Sequence, residues 1–306
     1  MHLDAVLIAA AAVVGTLIGL TGVGGGALMT PLLVLAFGVS PTSAITADLV
    51  ATVILRPWGV ALHWRRHGIE WRLVTWLSVG SVPAALAGTY LLHRLGASPS
   101  TRHDLREVLG GALLLGALAM AARLVRPRPG AGARHVAVRR TATVAVGVGA
   151  GLLVGLTSVG AGSLVAVALV VLYPHLRAER LVATDLAQSL PLTVAAGLGA
   201  VAFGHVDASL TAALVLGGVP GVAIGAWASA RVPGGLVRGA VALLVGVAGV
   251  IYLGPPGSVL ALGTVGVTLG VTLGARARTA RRVRRSVPEA VESVIAALPA
   301  RLHRDA

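Results

Sequence analysis

The segment Gly15-Thr-Leu-Ile-Gly-Leu-Thr-Gly-Val-Gly-Gly-Gly26 decides the fold, because it places a cluster of glycines in the middle of a long apolar stretch. That stretch runs from residue 3 to residue 37, well beyond the roughly 20 residues that a helix needs to cross a bilayer. Glycine at this density is costly inside a helix. We therefore predict two helical pieces joined by a short non-helical break.

A second break of the same kind interrupts the apolar stretch 141–173. The segment Gly151–Gly162 is identical to Gly15–Gly26 at eight of twelve positions. Later matches keep the same order along the chain. They pair Asp48-Leu49 with Asp185-Leu186, Gly80 and Pro83 with Gly217 and Pro220, and Gly88 with Gly225. We interpret this as an internal duplication.

The remaining composition indicates a membrane protein. Hydrophobic residues make up 56% of the chain and charged residues 12%, whereas soluble domains carry about 25% charged residues. The mean hydropathy is +0.88. The apolar runs are continuous rather than alternating, which excludes a porin-like barrel. The other runs are 44–62, 72–93, 105–125, 181–203, 208–230, 236–253 and 257–275. We predict an all-α polytopic membrane protein with about eight or nine full crossings plus half-helices.

Charge placement predicts the orientation of the two copies. All 25 basic residues are Arg, and they concentrate between apolar runs and in the tail, so the positive-inside rule explains them better than nucleic-acid binding does. The linker 126–140 and the tail 276–306 lie on the same cytoplasmic side if the fifth run is a helical hairpin. Each copy, 1–125 and 141–253, then crosses an odd number of times, and the repeats are inverted, as is common in secondary transporters. Residues 254–275 form an additional helix.

The paired breaks are the candidate binding site. Helices that restart after a break point unpaired N–H groups and a partial positive charge into the protein, which suits an anion. The alternative is that the glycines only allow close helix packing. The candidate substrate-binding residues are Thr21, Gly22, Gly24, Gly25, Gly26, Thr157, Ser158, Gly160, Gly162 and Arg56, with Thr21, Thr157 and Ser158 as hydroxyl donors.

Two acidic residues at matched positions, Asp48 and Asp185, follow the breaks. Either they cap helix N-termini, or they couple proton movement or gate the site, together with Gln188. Three roles are open for Arg56: it binds the anion, pairs with Asp48, or extends to the interface beside Trp58. Its counterpart in the second copy is Thr193, so any charge role is asymmetric.

A known family has these features. The segment Gly19-Leu-Thr-Gly-Val-Gly-Gly-Gly-Ala-Leu-Met-Thr-Pro31, with Pro41-x-x-Ala44 and the linker Gly68-Ile-Glu-Trp71, resembles the TauE/SafE-type sulfite exporter family, also called the toluene sulfonate uptake permeases. The resemblance covers roughly residues 5–253 and implies an inner-membrane transporter of small sulfur-containing anions such as sulfite or sulfonates. The second copy departs from the pattern at Ala161 and Val167.

We therefore expect a multi-pass secondary transporter of small anions in the cytoplasmic membrane, with an uncoupled channel-like conduit as the alternative. No metal-ligand spacing or catalytic constellation is evident, and Cys is absent. We expect neither an enzyme nor a cofactor nor a nucleic-acid partner, and the partners are the anion and the bilayer. Substrate identity, transport direction, coupling ion and oligomeric state stay open.

Overall fold

The computed structural model describes residues 5–21, 25–64, 69–96, 101–125, 138–160, 164–174, 176, 178–229, 237–254 and 266. Every regular element within these residues is helical, so the all-α prediction is confirmed for this part of the chain. The predicted linker up to 137, the additional helix around 257–275 and the tail 276–306 lie almost entirely outside the described residues.

The helices follow the predicted apolar runs. They are α1 Ala5–Thr21, a 3₁₀ turn Gly25–Ala27, α2 Met29–Phe37, α3 Pro41–Trp64, α4 Trp71–Gly96, α5 Thr101–Val125, α6 Arg140–Thr157, α7 Leu164–Leu172, α8 Ala178–Phe203, α9 Ala208–Ala228 and α10 Val237–Gly254. The first and fifth runs are each divided into two helices. Where α6 ends, Ser158 takes a left-handed backbone conformation with φ 58° and Gly160 follows with φ 108°.

Six of the described helices are long and apolar enough to cross a membrane by length and composition. They contain 71–95, 104–122, 140–157, 183–203, 208–228 and 237–254. Two shorter apolar segments, 5–21 and 25–37, flank the first break. These helices support a multi-pass membrane protein, and the predicted total of crossings stays a prediction.

Two close helix crossings enclose a central pair of helices. Helix α1 packs on α9, and α4 packs on α6, while α3 and α8 contact each other and also pack on α9 and α4 respectively. The backbones touch at the crossings: a Cβ added at Gly15 would lie 2.7 Å from the carbonyl oxygen of Gly218, and one at Gly88 would lie 2.6 Å from that of Leu152. Small residues allow such contact, and the packing holds helices together in lipid.

The two crossings use corresponding positions of the two predicted copies. In the register of the sequence matches, Gly15 corresponds to Gly151 and Gly218 to Ser81. A Cβ at Gly15 would collide with Gly218, and a Cβ at Gly151 would collide with Ser81. The first helix of each copy therefore packs on the fourth helix of the other copy.

The N-terminus of α9 yields a prediction about acid stability. Asp207 caps this helix: its Oδ1 accepts hydrogen bonds from the Ser209 hydroxyl at 2.6 Å and from the N–H groups of Ser209 and Leu210 at 3.0 and 3.1 Å. These bonds, the Ser209 hydroxyl first, lower the pKa of Asp207. We expect Asp207→Ala to destabilise the protein by about 1 kcal/mol near neutral pH.

The Asp207 contribution should depend on pH in one direction. Because the folded-state pKa lies below the usual value of about 3.9, the stabilisation is present above that value and is lost as the pH falls through the folded-state pKa. Thermal unfolding in detergent at about pH 7 and about pH 3 measures it. Asp207→Asn is the control, since it retains an acceptor oxygen without a charge. An equal deficit for Asp207→Ala at both pH values would contradict the prediction.

Candidate functional site

The two breaks touch each other at the centre of the molecule. A Cβ added at Gly26, in the first break, would overlap the Ser158 carbonyl in the second break and would lie 2.6 Å from the Ser158 hydroxyl. Both residues are buried. Of the other candidate glycines, Gly25 lies in the 3₁₀ turn and Gly160 follows the end of α6, whereas Gly22, Gly24 and Gly162 fall outside the described residues.

Asp48 joins three elements around this contact. It is fully buried on α3, and its Oδ2 accepts a hydrogen bond of 2.6 Å from the Ser158 hydroxyl. The Thr30 hydroxyl on α2 donates to the same oxygen at 3.2 Å. The first-copy carboxylate is thus bound to the second-copy break, a partnership that the sequence analysis did not predict.

The other carboxylate oxygen faces the first break. Among the described residues, Asp48 Oδ1 has no hydrogen-bond partner, and neither has the Thr52 hydroxyl one helical turn further along α3. A Cβ added at Gly25 would lie 3.3 Å from Asp48 Oδ1 and 3.2 Å from Thr52 Oγ1. Both oxygens therefore lie against the side of Gly25 that carries no Cβ, a position that we call the Gly25 recess.

The structure decides against helix capping by the two acidic residues. Helix α3 begins at Pro41 and α8 at Ala178, so Asp48 and Asp185 each lie about two turns inside a helix. Asp185 is 3% exposed. The capping alternative is wrong because each helix starts earlier than its continuous apolar run. Both carboxylates are instead buried at the centre of the helix pair.

Arg56 is within electrostatic range of both acids. It is half-buried on α3, and it interacts electrostatically with Asp185, most strongly, and with Asp48. This interaction is compatible with the predicted pairing with Asp48, and all three predicted roles of Arg56 stay predictions. Asp48 was predicted as the partner, whereas the interaction with Asp185, which belongs to the other copy, was not predicted.

Gln188 links the centre to a neighbouring crossing. It is fully buried on α8, and its Nε2 donates a 2.9 Å hydrogen bond to the hydroxyl of Ser81, which is fully buried on α4. Its Oε1 has no hydrogen-bond partner among the described residues. Ser81 was not predicted, since a serine in an apolar run carries no distinctive spacing.

The hydroxyls of Thr21 and Thr157 are used differently from the expectation. Each donates to a carbonyl of its own helix, Thr21 to Leu17 at 2.7 Å and Thr157 to Leu153 at 2.6 Å. Thr157 Oγ1 also accepts the N–H of Val159 at 3.2 Å. The expectation that these hydroxyls, and that of Ser158, donate to an anion does not hold in this conformation, because all three hydrogens are already donated within the protein.

A polar contact joins the first turns of α8 to the start of α4. The Glu70 carboxylate at the start of α4 pairs with Arg180 at 2.6 Å. The Glu70 N–H donates to the Thr184 hydroxyl at 3.1 Å, and Thr184 directly precedes Asp185. Glu70 was quoted in the sequence analysis only as part of a linker, and no pattern there indicates its partners.

Comparisons with known proteins identify related membrane transporters. The sequence profile of the family described as "Sulfite exporter TauE/SafE" matches residues 7–253. The probable membrane transporter protein YjnA of Bacillus subtilis (strain 168) is 41% identical over 223 residues, which cover 71% of this chain and 87% of YjnA. The probable membrane transporter protein YdhB of the same organism is 25% identical over 240 residues, covering 78% of this chain and 96% of YdhB.

No solved structure matches the chain significantly. The family is one of membrane transporters rather than enzymes, and the profile covers most of the chain, including both breaks and both buried acids. The protein therefore belongs to the TauE/SafE sulfite exporter family of membrane transporters.

Proposed function

We propose that the protein is a secondary transporter that moves small anions, sulfite or organosulfonates, across the cytoplasmic membrane. The family membership supports the substrate class, since the matched family is named for sulfite export. The absence of Lys and of a nucleotide-binding loop in the sequence argues for a transporter that does not hydrolyse ATP.

One observation carries the proposed binding site: the contact between the two breaks at Gly26 and Ser158. Helix α2 follows the first break and α7 follows the second. Helix N-termini carry a partial positive charge and unpaired N–H groups. Two such N-termini follow the two breaks that meet here, which favours an anion site. We assign this site to backbone N–H groups within 22–26 and 158–162, with Thr21 and Thr157 at the ends of the preceding helices α1 and α6.

We further propose that the two copies are inverted repeats. The exchanged packing supports the duplication, because α1 on α9 repeats the contacts of α6 on α4 at corresponding glycines. The basic segments 126–140 and 276–306 support the inversion, since both reach the cytoplasmic side only if each copy crosses an odd number of times. Asp48, Asp185 and Gln188 then lie between the copies, where they couple or gate transport.

Gly26→Ala tests the binding site. Because the added Cβ overlaps the Ser158 carbonyl, the two breaks must separate, at a cost of about 1–3 kcal/mol. We expect counterflow of sulfite in proteoliposomes to fall roughly tenfold or more. Counterflow of sulfite, sulfate, taurine, sulfoacetate and methanesulfonate by the parent protein defines the substrate range.

Gly111→Ala is the control, because a Cβ there meets nothing within 4 Å. It should transport at the parent rate. Full activity of Gly26→Ala would remove the contact of the breaks from the site. A parent protein with flux that neither saturates nor shows counterflow would instead favour the uncoupled conduit.

A further inference from the structure

We propose that each transported anion is accompanied by one proton, that Asp48 carries this proton, and that Asp185 stays ionised as the partner of Arg56. The inference rests on the proposed anion transport and assigns the coupling ion to one atom, Asp48 Oδ1. The two matched acids thus have different roles.

The charges of the two buried acids and of Arg56 do not balance. Among the described residues, Asp48 and Asp185 are the only fully buried charged side chains, and Arg56 interacts with both. Two carboxylates and one guanidinium leave one negative charge. An uncompensated charge costs several kcal/mol at membrane depth, so one bound proton makes the group neutral.

The proton binds to Asp48 rather than to Asp185. Arg56 acts most strongly on Asp185, which favours the ionised form there. The Ser158 hydroxyl at the second break donates to Asp48 at 2.6 Å, so the charge of Asp48 changes where the anion binds. We therefore assign the proton to Asp48 and the ionised form to Asp185.

At the Gly25 recess, Asp48 Oδ1 can bind the proton and the Thr52 hydroxyl can accept a hydrogen bond from it. Asp48 Oδ1 and the Thr52 hydroxyl are both without a hydrogen-bond partner among the described residues. They line the same recess, and a hydroxyl oxygen accepts as well as donates. A proton on Oδ1 gains Thr52 as an acceptor, while Oδ2 still accepts the hydrogen bond from the Thr30 hydroxyl.

Ser158 couples the proton on Asp48 to the anion. An anion at the second break lies close to Ser158, which is bound to Asp48 at 2.6 Å. An ionised Asp48 repels the anion and also holds the Ser158 hydrogen. Protonation removes the repulsion and frees that hydroxyl to turn toward the anion. By linkage, the anion then strengthens proton binding by the same factor.

The experiment compares the parent protein, Asp48→Asn and Asp185→Asn in proteoliposomes, with methanesulfonate as a probe of constant charge. For the parent, a one-unit pH gradient should drive accumulation up to about tenfold, with proton uptake visible on an entrapped pH dye. Whatever its rate of counterflow, Asp48→Asn should show no dependence of that rate on pH and should lose gradient-driven accumulation; a variant without any counterflow is judged by the proton uptake of the parent protein described below. Asp185→Asn should keep a pH-dependent profile, displaced toward lower pH.

The outcomes separate the two proposals. Absence of counterflow by the parent with methanesulfonate and with sulfite overturns the proposed function. Parent counterflow combined with pH-driven accumulation by Asp48→Asn, or with accumulation driven by a Na⁺ gradient alone, overturns only the proton assignment. Should Asp48→Asn fail to fold, the parent protein in weakly buffered detergent decides: uptake of one proton per bound methanesulfonate supports the inference, and no uptake overturns it.

Discussion

Arg56→Gln is expected to reduce the amount of folded protein severely. The change leaves Asp48 on α3 and Asp185 on α8 without the cation with which both interact electrostatically. Removing one member of a buried ion pair costs about 3–5 kcal/mol, because the remaining charge is uncompensated. Monodisperse protein after detergent extraction and the thermal midpoint measure the loss.

A second substitution should restore much of this stability. Arg56→Gln combined with Asp185→Asn removes one positive and one negative charge together, so the cost of the unpaired carboxylate disappears. Arg94→Gln is the control, since exposed Arg94 stacks on Tyr90 and bonds its hydroxyl, a contact worth about 0.5–1 kcal/mol. A thermal midpoint of Arg56→Gln equal to that of Arg94→Gln would refute the pairing.

Gly155→Leu is expected to prevent assembly of the α4–α6 crossing. A Cβ at Gly155 would overlap the Ala85 carbonyl and would lie 2.9 Å from the Thr89 nitrogen and 3.1 Å from the Gly88 Cα. These are backbone atoms, so no side-chain rotation relieves the clash. Overpacking of a fitted interior costs about 1–3 kcal/mol even where side chains give way, and this clash should cost more.

The same helix supplies a matched control. Gly149 lies two turns before this crossing contact, is exposed, and would have nothing within 4 Å of an added Cβ. Gly149→Leu should therefore leave expression and thermal midpoint at or above the parent level, since leucine is a better helix former than glycine. Equal losses in the two variants would mean that the α4–α6 contact does not limit stability.

Much of the helical order could be predicted, because apolar runs and glycine clusters act locally. The breaks after Thr21 and after Thr157 follow from glycine cost and side-chain size alone. The start of α3 was misjudged for an equally local reason. Hydropathy places the run at residue 44, whereas the helix begins at Pro41, since proline is well suited to a first helical position. That difference of one turn made Asp48 resemble a cap.

The partners at the site could not be predicted in the same way. Ser158 with Asp48 and Gln188 with Ser81 join residues that are distant in sequence, and only the exchanged packing of the two copies brings them together. The hydroxyls of Thr21 and Thr157 were assigned to an anion, but an apolar environment favours bonds to nearby helix carbonyls.

The contact of Glu70 with Arg180 and Thr184 joins the start of α4 to α8 in one half of the protein. In the register that pairs Asp48 with Asp185, Glu70 corresponds to Asp207, and its two partners correspond to Ser43 and Ala47. Among the described residues, Asp207 binds within its own helix start, and the Ser43 hydroxyl interacts with Ser40. A partly exposed ion pair is worth about 1 kcal/mol or less. The contact therefore joins α4 to α8 only weakly, and the matched positions among the described residues do not repeat it.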